Sequence, residues 1–153
     1  MKKLKAFTLN ELLITIAVIG IMSTVTIIGL NSLLPYWRLS GATKELMANI
    51  SETQGYSVSQ QVIHKINFIP DNQYRIVKED PGGDQIIKTI NLPSGVTISQ
   101  LSPNITNNVV KFNFVGAPLD STNQPLSTAQ ITLTNGGKNS TIEISPAGNV
   151  KSY

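Results

Sequence analysis

The sequence predicts an α+β fold in which one long N-terminal helix packs against antiparallel β-sheet. Three observations carry that expectation. Residues 12–37 hold no charged side chain, and most are Leu, Ile, Val, Ala, Met or Gly. Beyond them Leu39, Ala42, Leu46 and Ile50 recur at three- to four-residue spacing, with Met47 beside them, which is the period of one helix face. From Lys65 onward the chain breaks into short apolar runs separated by Pro, Gly, Asn and Asp clusters, the pattern of antiparallel strands.

The first element is read as a membrane-spanning half-helix over residues 7–35. A helix needs roughly 20 apolar residues to cross about 30 Å of hydrocarbon. Lys2, Lys3 and Lys5 precede the run and a single Arg38 follows it, which favours the N-terminus inside and the remainder outside. Glu11 lies in its first turns, four residues after Phe7. A carboxylate at the head of a membrane helix costs free energy and marks a functional candidate. A secretory signal peptide is the competing reading. Such peptides are cut after the apolar region at an A-x-A-like site, and no such site follows Leu30.

Pro35 is positioned to kink or interrupt the helix. Residues 36–62 then form its amphipathic half, ending between Gly55 and Val62, with Arg38, Lys44, Glu45 and Glu52 mostly off the apolar stripe. Residues 63–153 are the β domain. Lys65–Phe68 alternates polar and apolar, Ile69 extends it, and Pro70 with Asp71-Asn72 ends it. Tyr74–Lys78 and Gln85–Leu92 flank an acidic Pro-Gly-Gly turn. Val96–Leu101 and Val109–Val115 follow, then a long loop over Gly116–Thr128. Ala129–Leu133 and Thr141–Ser145 flank the Asn135-Gly136-Gly137 turn, and Asn149–Tyr153 closes the chain.

The 153 residues make one domain plus an anchor, with no cysteine for disulfides, thiol catalysis or zinc–thiolate sites. The formal charge of +3 is local. Residues 1–6 carry three of the 12 basic side chains and none of the nine acidic ones, which leaves the rest of the chain at net zero. The basicity therefore concerns topology and offers nucleic acid no basic surface.

The stretch MKKLKA-FTLNELLITIAVIG resembles the N-terminus of type IV pilins and type II secretion pseudopilins. That pattern is a short basic leader ending in a small residue, then Phe-Thr-Leu-x-Glu and about twenty apolar residues. Ala6 stands where Gly is usual, and Asn10 where an apolar residue is common. The later segments INFIP, YRIV, NLPSGVTI, VVKFNFVGAP and TIEISPAGNV are similar to the GspH/FimT class of minor pilins and pseudopilins. The resemblance implies a pilin-like long helix on two antiparallel sheets. It implies a leader over residues 1–6, cleaved between Ala6 and Phe7 by prepilin peptidase, and N-methylation of the Phe7 amine. It also implies pairing of that amine with Glu11 of the preceding subunit during filament assembly. The implied partners are other pilin or pseudopilin subunits, the peptidase and an inner-membrane assembly platform. The implied location is a single-pass inner-membrane protein that passes into a periplasmic or cell-surface filament. A DNA-binding minor pilin used in uptake and a simple membrane-tethered binding domain are the alternatives. The first would need several basic residues where the tail offers Lys151. The second would have no use for Glu11.

The remaining motifs weigh less. Gly20 and Gly29 suit close helix packing, but glycine is common in membrane helices. His64, the single histidine, has no cysteine or second histidine beside it for zinc and is expected to be exposed at the helix–strand junction. Glu79, Asp80 and Asp84 offer oxygens for calcium, yet their spacing fits no complete loop motif and a solvated acidic turn is the simpler reading. Three Asn-x-Ser/Thr triplets begin at Asn49, Asn104 and Asn139 and are read as coincidental. No nucleophile elbow, zinc-helix or phosphate-loop motif occurs. The expected protein is not an enzyme and takes no cofactor.

Overall fold

The structure is a computed structural model that describes residues 7–69 and 72–153, and of residues 24–32 the backbone alone. The chain divides into two units, Met1–Leu34 and Pro35–Tyr153. Helix α1, Leu9–Gln60, contributes to both, and Pro35 lies inside it rather than at its end.

In the first unit the side chains of residues 9–23 are exposed on every side of α1, including Leu9, Leu12, Leu13, Ile16, Ile19 and Met22. Among the described residues no helix is long and apolar enough to cross a membrane. Residues 7–23 by themselves fall short of the roughly 20 that a span requires, and the side chains of 24–32, Gly29 among them, lie outside the description. The expected leader, residues 1–6, and the strand-ending Pro70-Asp71 also lie outside the described residues.

Among its described residues the second unit holds nine strands in two antiparallel sheets. β1 (His64–Ile69), β2 (Gln73–Lys78), β3 (Gln85–Asn91), β5 (Val109–Phe112) and β6 (Pro118–Leu119) form one sheet in the order β3-β2-β1-β5-β6. β4 (Thr97–Leu101), β7 (Ala129–Asn135), β8 (Lys138–Ile144) and β9 (Val150–Ser152) form the other, in the order β4-β7-β8-β9. Alternation sets which face each strand buries. Ile66 opposes both Ile76 and Val110, Phe68 opposes Tyr74, and Ile131 opposes Ile142, all of them buried. These side chains meet Leu39, Ala42, Leu46 and Ile50 of α1 in a single apolar cluster, so the predicted stripe does face the sheets.

Turn chemistry explains most boundaries. Asn135 pairs with Lys138 across Gly136 and Gly137, both at positive φ (57° and 77°). Two consecutive positive φ angles define the hairpin turn whose twist matches the strands. Because this turn uses only two residues, β7 runs on to Asn135 and β8 begins at Lys138, earlier than the expected Thr141. β5 stops at Phe112 rather than Val115, because Asn113 Oδ1 accepts the N–H groups of Val115 and Ala117 and bends the chain. The loop expected over 116–128 contains the two-residue β6, and a 3-10 turn at Thr106–Asn108 precedes β5.

Candidate functional site

The head of α1 is a closed hydrogen-bonded unit. The Thr8 backbone N–H and hydroxyl both donate to Glu11 Oε2 at 2.9 Å, and the Glu11 N–H donates to Thr8 Oγ1 at 3.2 Å. This is a capping box. The N-cap hydroxyl accepts one orphan N–H of the first turn, and the acid three residues on satisfies the cap's own N–H. Phe7 lies outside the box and is exposed. The structure thus brings Phe7 and Glu11, the two predicted assembly residues, to one helix end. It adds Thr8, which the sequence reading passed over, although Thr-x-x-Glu before an apolar run is the sequence signature of the box.

A second polar arrangement also escaped the sequence reading. Beside Ile50 and beyond it the buried face of α1 continues through Asn49, Thr53 and Ser57, at a four-residue step. Thr53 and Ser57 return their hydroxyls to the carbonyls four residues back, at 2.7 and 3.1 Å, and so bury no free donor. Asn49 Nδ2 donates to the Tyr74 hydroxyl at 2.7 Å, and Lys88 Nζ donates to Asn49 Oδ1 at 3.0 Å. Burial pushes the Tyr74 phenol up to about 12; Glu45 and Glu52 add to the rise, and the Asn49 bond opposes it. Tyr56 donates to Glu52 Oε1 at 2.7 Å, which raises its phenol as well. This seam ties α1 to β2 and β3.

No protein-family model matches the chain, and no curated protein does. Solved structures do. The type IV minor pilin FimU of Pseudomonas aeruginosa superposes with a TM-score of 0.62 at 17% identity, over 75% of this chain and 87% of that one. A second crystal form of FimU gives 0.60 over 75% and 92%. The minor pseudopilin EpsH from the Type 2 Secretion System of Vibrio cholerae gives 0.62 at 5% identity, over 76% and 96%. The chain has the minor-pilin fold. The pilin-like α+β architecture is therefore borne out, at identities where likeness is one of fold.

Within this minor-pilin fold the other candidates resolve differently. His64 is not exposed at a junction but fully buried in β1, on the face that carries Ile66 and Phe68. Its Nδ1 lies 2.9 Å from the Val62 carbonyl, which requires the proton on that nitrogen, and its backbone N–H donates to Ser57 Oγ at 3.1 Å. The strand period, extended one residue earlier, is the signal that finds it. The acidic turn is solvent-facing, and two of its three acids pair with lysines. Asp84 pairs with Lys65 at 2.6 Å, Glu79 with the buried Lys111 at 3.0 Å, and Asp80 Oδ1 accepts the Gly82 N–H. Among the described residues no group of three acids or histidines gathers to hold a metal. A Cβ at Gly20 would meet nothing within 4 Å.

Proposed function

We propose that the chain is a minor pilin or pseudopilin, a filament subunit rather than an enzyme. The precursor sits in the inner membrane as a single-pass protein, N-terminus inside and β domain outside. Prepilin peptidase cuts it between Ala6 and Phe7 and methylates the Phe7 amine. The subunit then joins its partner subunits, through the assembly platform, in a type II secretion pseudopilus or a type IV pilus. One conjunction carries the reading. The Phe-Thr-Leu-x-Glu head, closed as a capping box on an apolar helix, lies in the same chain as a domain of minor-pilin fold.

The physical role of Glu11 follows from its surroundings. In low dielectric an unpaired carboxylate is costly, and a cation a few Å away relieves it. The capping box occupies Oε2 with neutral donors. Among the described residues the charge has no counterion, and the methylated Phe7 amine of an entering subunit supplies one. A single buried ion pair works at one axial position only, which sets the register between subunits.

Glu11→Gln tests this cleanly, because glutamine also completes a capping box while removing the charge. The expected outcome is a protein that starts at Phe7 by N-terminal sequencing, accumulates in the inner membrane, and is depleted from sheared filaments. Normal incorporation of Glu11→Gln refutes the pairing. A wild-type chain that still begins at Met1 refutes the assignment itself.

A further inference from the structure

The end of the second unit that follows the apolar run in sequence carries a groove with no role in the reading above. Its walls come from α1 through Tyr36, Ser40 and Lys44, and from the β8–β9 side through Lys138, Ser140 and Tyr153. Two lysines and no acidic side chain line it. Lys65, Lys88 and Lys111 are each in an ion pair, whereas among the described residues neither Lys44 nor Lys138 is. Lys138 Nζ stands 5.2 Å over the Tyr36 ring. A cation–π contact of that kind orients an ammonium without cancelling its charge. Tyr36 and Trp37 remain half-exposed, at 51% and 55%. Amphipathic aromatic rings beside the end of an apolar helix occupy the headgroup level of a bilayer.

We infer that this groove binds the phosphate of an anionic phospholipid headgroup. The inference rests on the proposed membrane anchor, because Tyr36 follows the apolar run directly in sequence. The match is one of charge and shape. Lys44, Lys138, Ser40 and Ser140 line the groove and supply two ammonium groups and two hydroxyls for a phosphodiester, while the exposed rings of Tyr36, in the lining, and Trp37, next to it in sequence, suit the interface around it. Basic groups near an anionic leaflet are attracted to it, and the attraction is screened by salt. An unassembled subunit is then held at the membrane by two contacts, the apolar helix and the headgroup. Extraction into a filament breaks both.

Trp37 is the chain's one tryptophan and the sequence neighbour of the lining residue Tyr36, so its emission reports the surroundings of the groove. The full chain is reconstituted into vesicles of phosphatidylcholine alone, or of phosphatidylcholine with phosphatidylglycerol. Flotation with both kinds is expected from the anchor. The proposal adds a blue shift of Trp37 emission, and stronger quenching by headgroup-labelled lipid, in the anionic vesicles only. The shift should be lost in Lys44→Gln/Lys138→Gln with flotation intact, and retained in Lys78→Gln/Lys151→Gln, which removes the same charge elsewhere. It should also shrink in about 1 M salt, where the Debye length falls to about 3 Å. Identical emission in both vesicle types, with flotation intact, overturns the headgroup site and leaves the anchor standing. Equal loss in the two double variants overturns it too, since general charge would then suffice. Failure to float with either vesicle overturns the anchor reading and the headgroup site together.

Discussion

Tyr74 illustrates how one side chain couples the folded state to pH. It is fully buried, and its hydroxyl accepts from Asn49. Its phenol rises from the ordinary 10.0 to about 12, chiefly because burial penalises the phenolate. The folded state therefore holds this proton more tightly than the unfolded chain does. The stabilisation is fully present below about pH 10 and is lost as pH climbs toward about 12. Urea unfolding of the full chain in detergent micelles at about pH 8 and about pH 11 should show that decline. Tyr74→Phe should make the decline shallower, with a remainder from Tyr56. The same variant should cost about 1–3 kcal/mol at neutral pH, because Asn49 Nδ2 loses its buried acceptor. An unchanged slope would remove Tyr74 from the account. Single residues were also where the sequence was hardest to read. His64 looked like a junction residue because its burial depends on β1 beginning one position earlier than its apolar run. Glu11 stood out in the sequence as an acid at the head of an apolar run, but its engagement with Thr8 required reading a cap inside an apolar segment.

At the scale of elements, α1 is the organising piece of the β domain. Its buried face passes from apolar at Leu39, Ala42, Leu46 and Ile50 to hydroxylic at Thr53 and Ser57. The apolar part was legible because it keeps a helical period. The hydroxylic part was not, because Ser and Thr usually mark exposed positions, and only their bonds to the preceding turn let them stay buried. Leu46→Ala, at a fully buried site, should destabilise the chain by about 2–5 kcal/mol through lost transfer energy and a residual cavity. Ser57→Ala should cost about 1–3 kcal/mol, because it strips the acceptor from the buried His64 N–H. Denaturant midpoints of both variants check this, and a neutral Leu46→Ala would contradict the packing. Hairpin β7–β8 was readable from Asn-Gly-Gly, since turn residues advertise their φ requirement. The strand β6 was not, because two residues carry no period and Pro118 argues against a strand. It forms because the Asn113 turn returns the chain alongside β5, where Phe112 opposes Pro118.

At the scale of the whole molecule, charge and core make separate statements. The chain beyond residue 6 is net neutral, and nonspecific DNA affinity grows with the phosphates neutralised. A gel assay at about 0.15 M salt should find no low-micromolar binding, and tight salt-sensitive binding would favour an uptake role instead. The core predicts where the chain can be cut. Every member of the buried apolar cluster lies between Leu39 and Ile144, inside the unit Pro35–Tyr153. Two polar contacts set the starting point. Asn135 Nδ2 donates to the Pro35 carbonyl at 3.1 Å, and Arg38 donates to the Ser94 carbonyl at 3.3 Å. A chain beginning at Pro35 keeps both and should be a soluble monomer with mixed helix and sheet by circular dichroism and one cooperative unfolding transition. A chain beginning at Met47 keeps every strand but loses Leu39, Ala42 and Leu46. Each fully buried leucine contributes about 1.5–3 kcal/mol, and a small domain has only about 5–15 kcal/mol in all. The shorter chain should therefore lose cooperative unfolding, although its sheets are complete in sequence. If it unfolds as sharply as the longer one, the sheets do not need the helix, and α1 is an appendage of the β domain rather than part of its core.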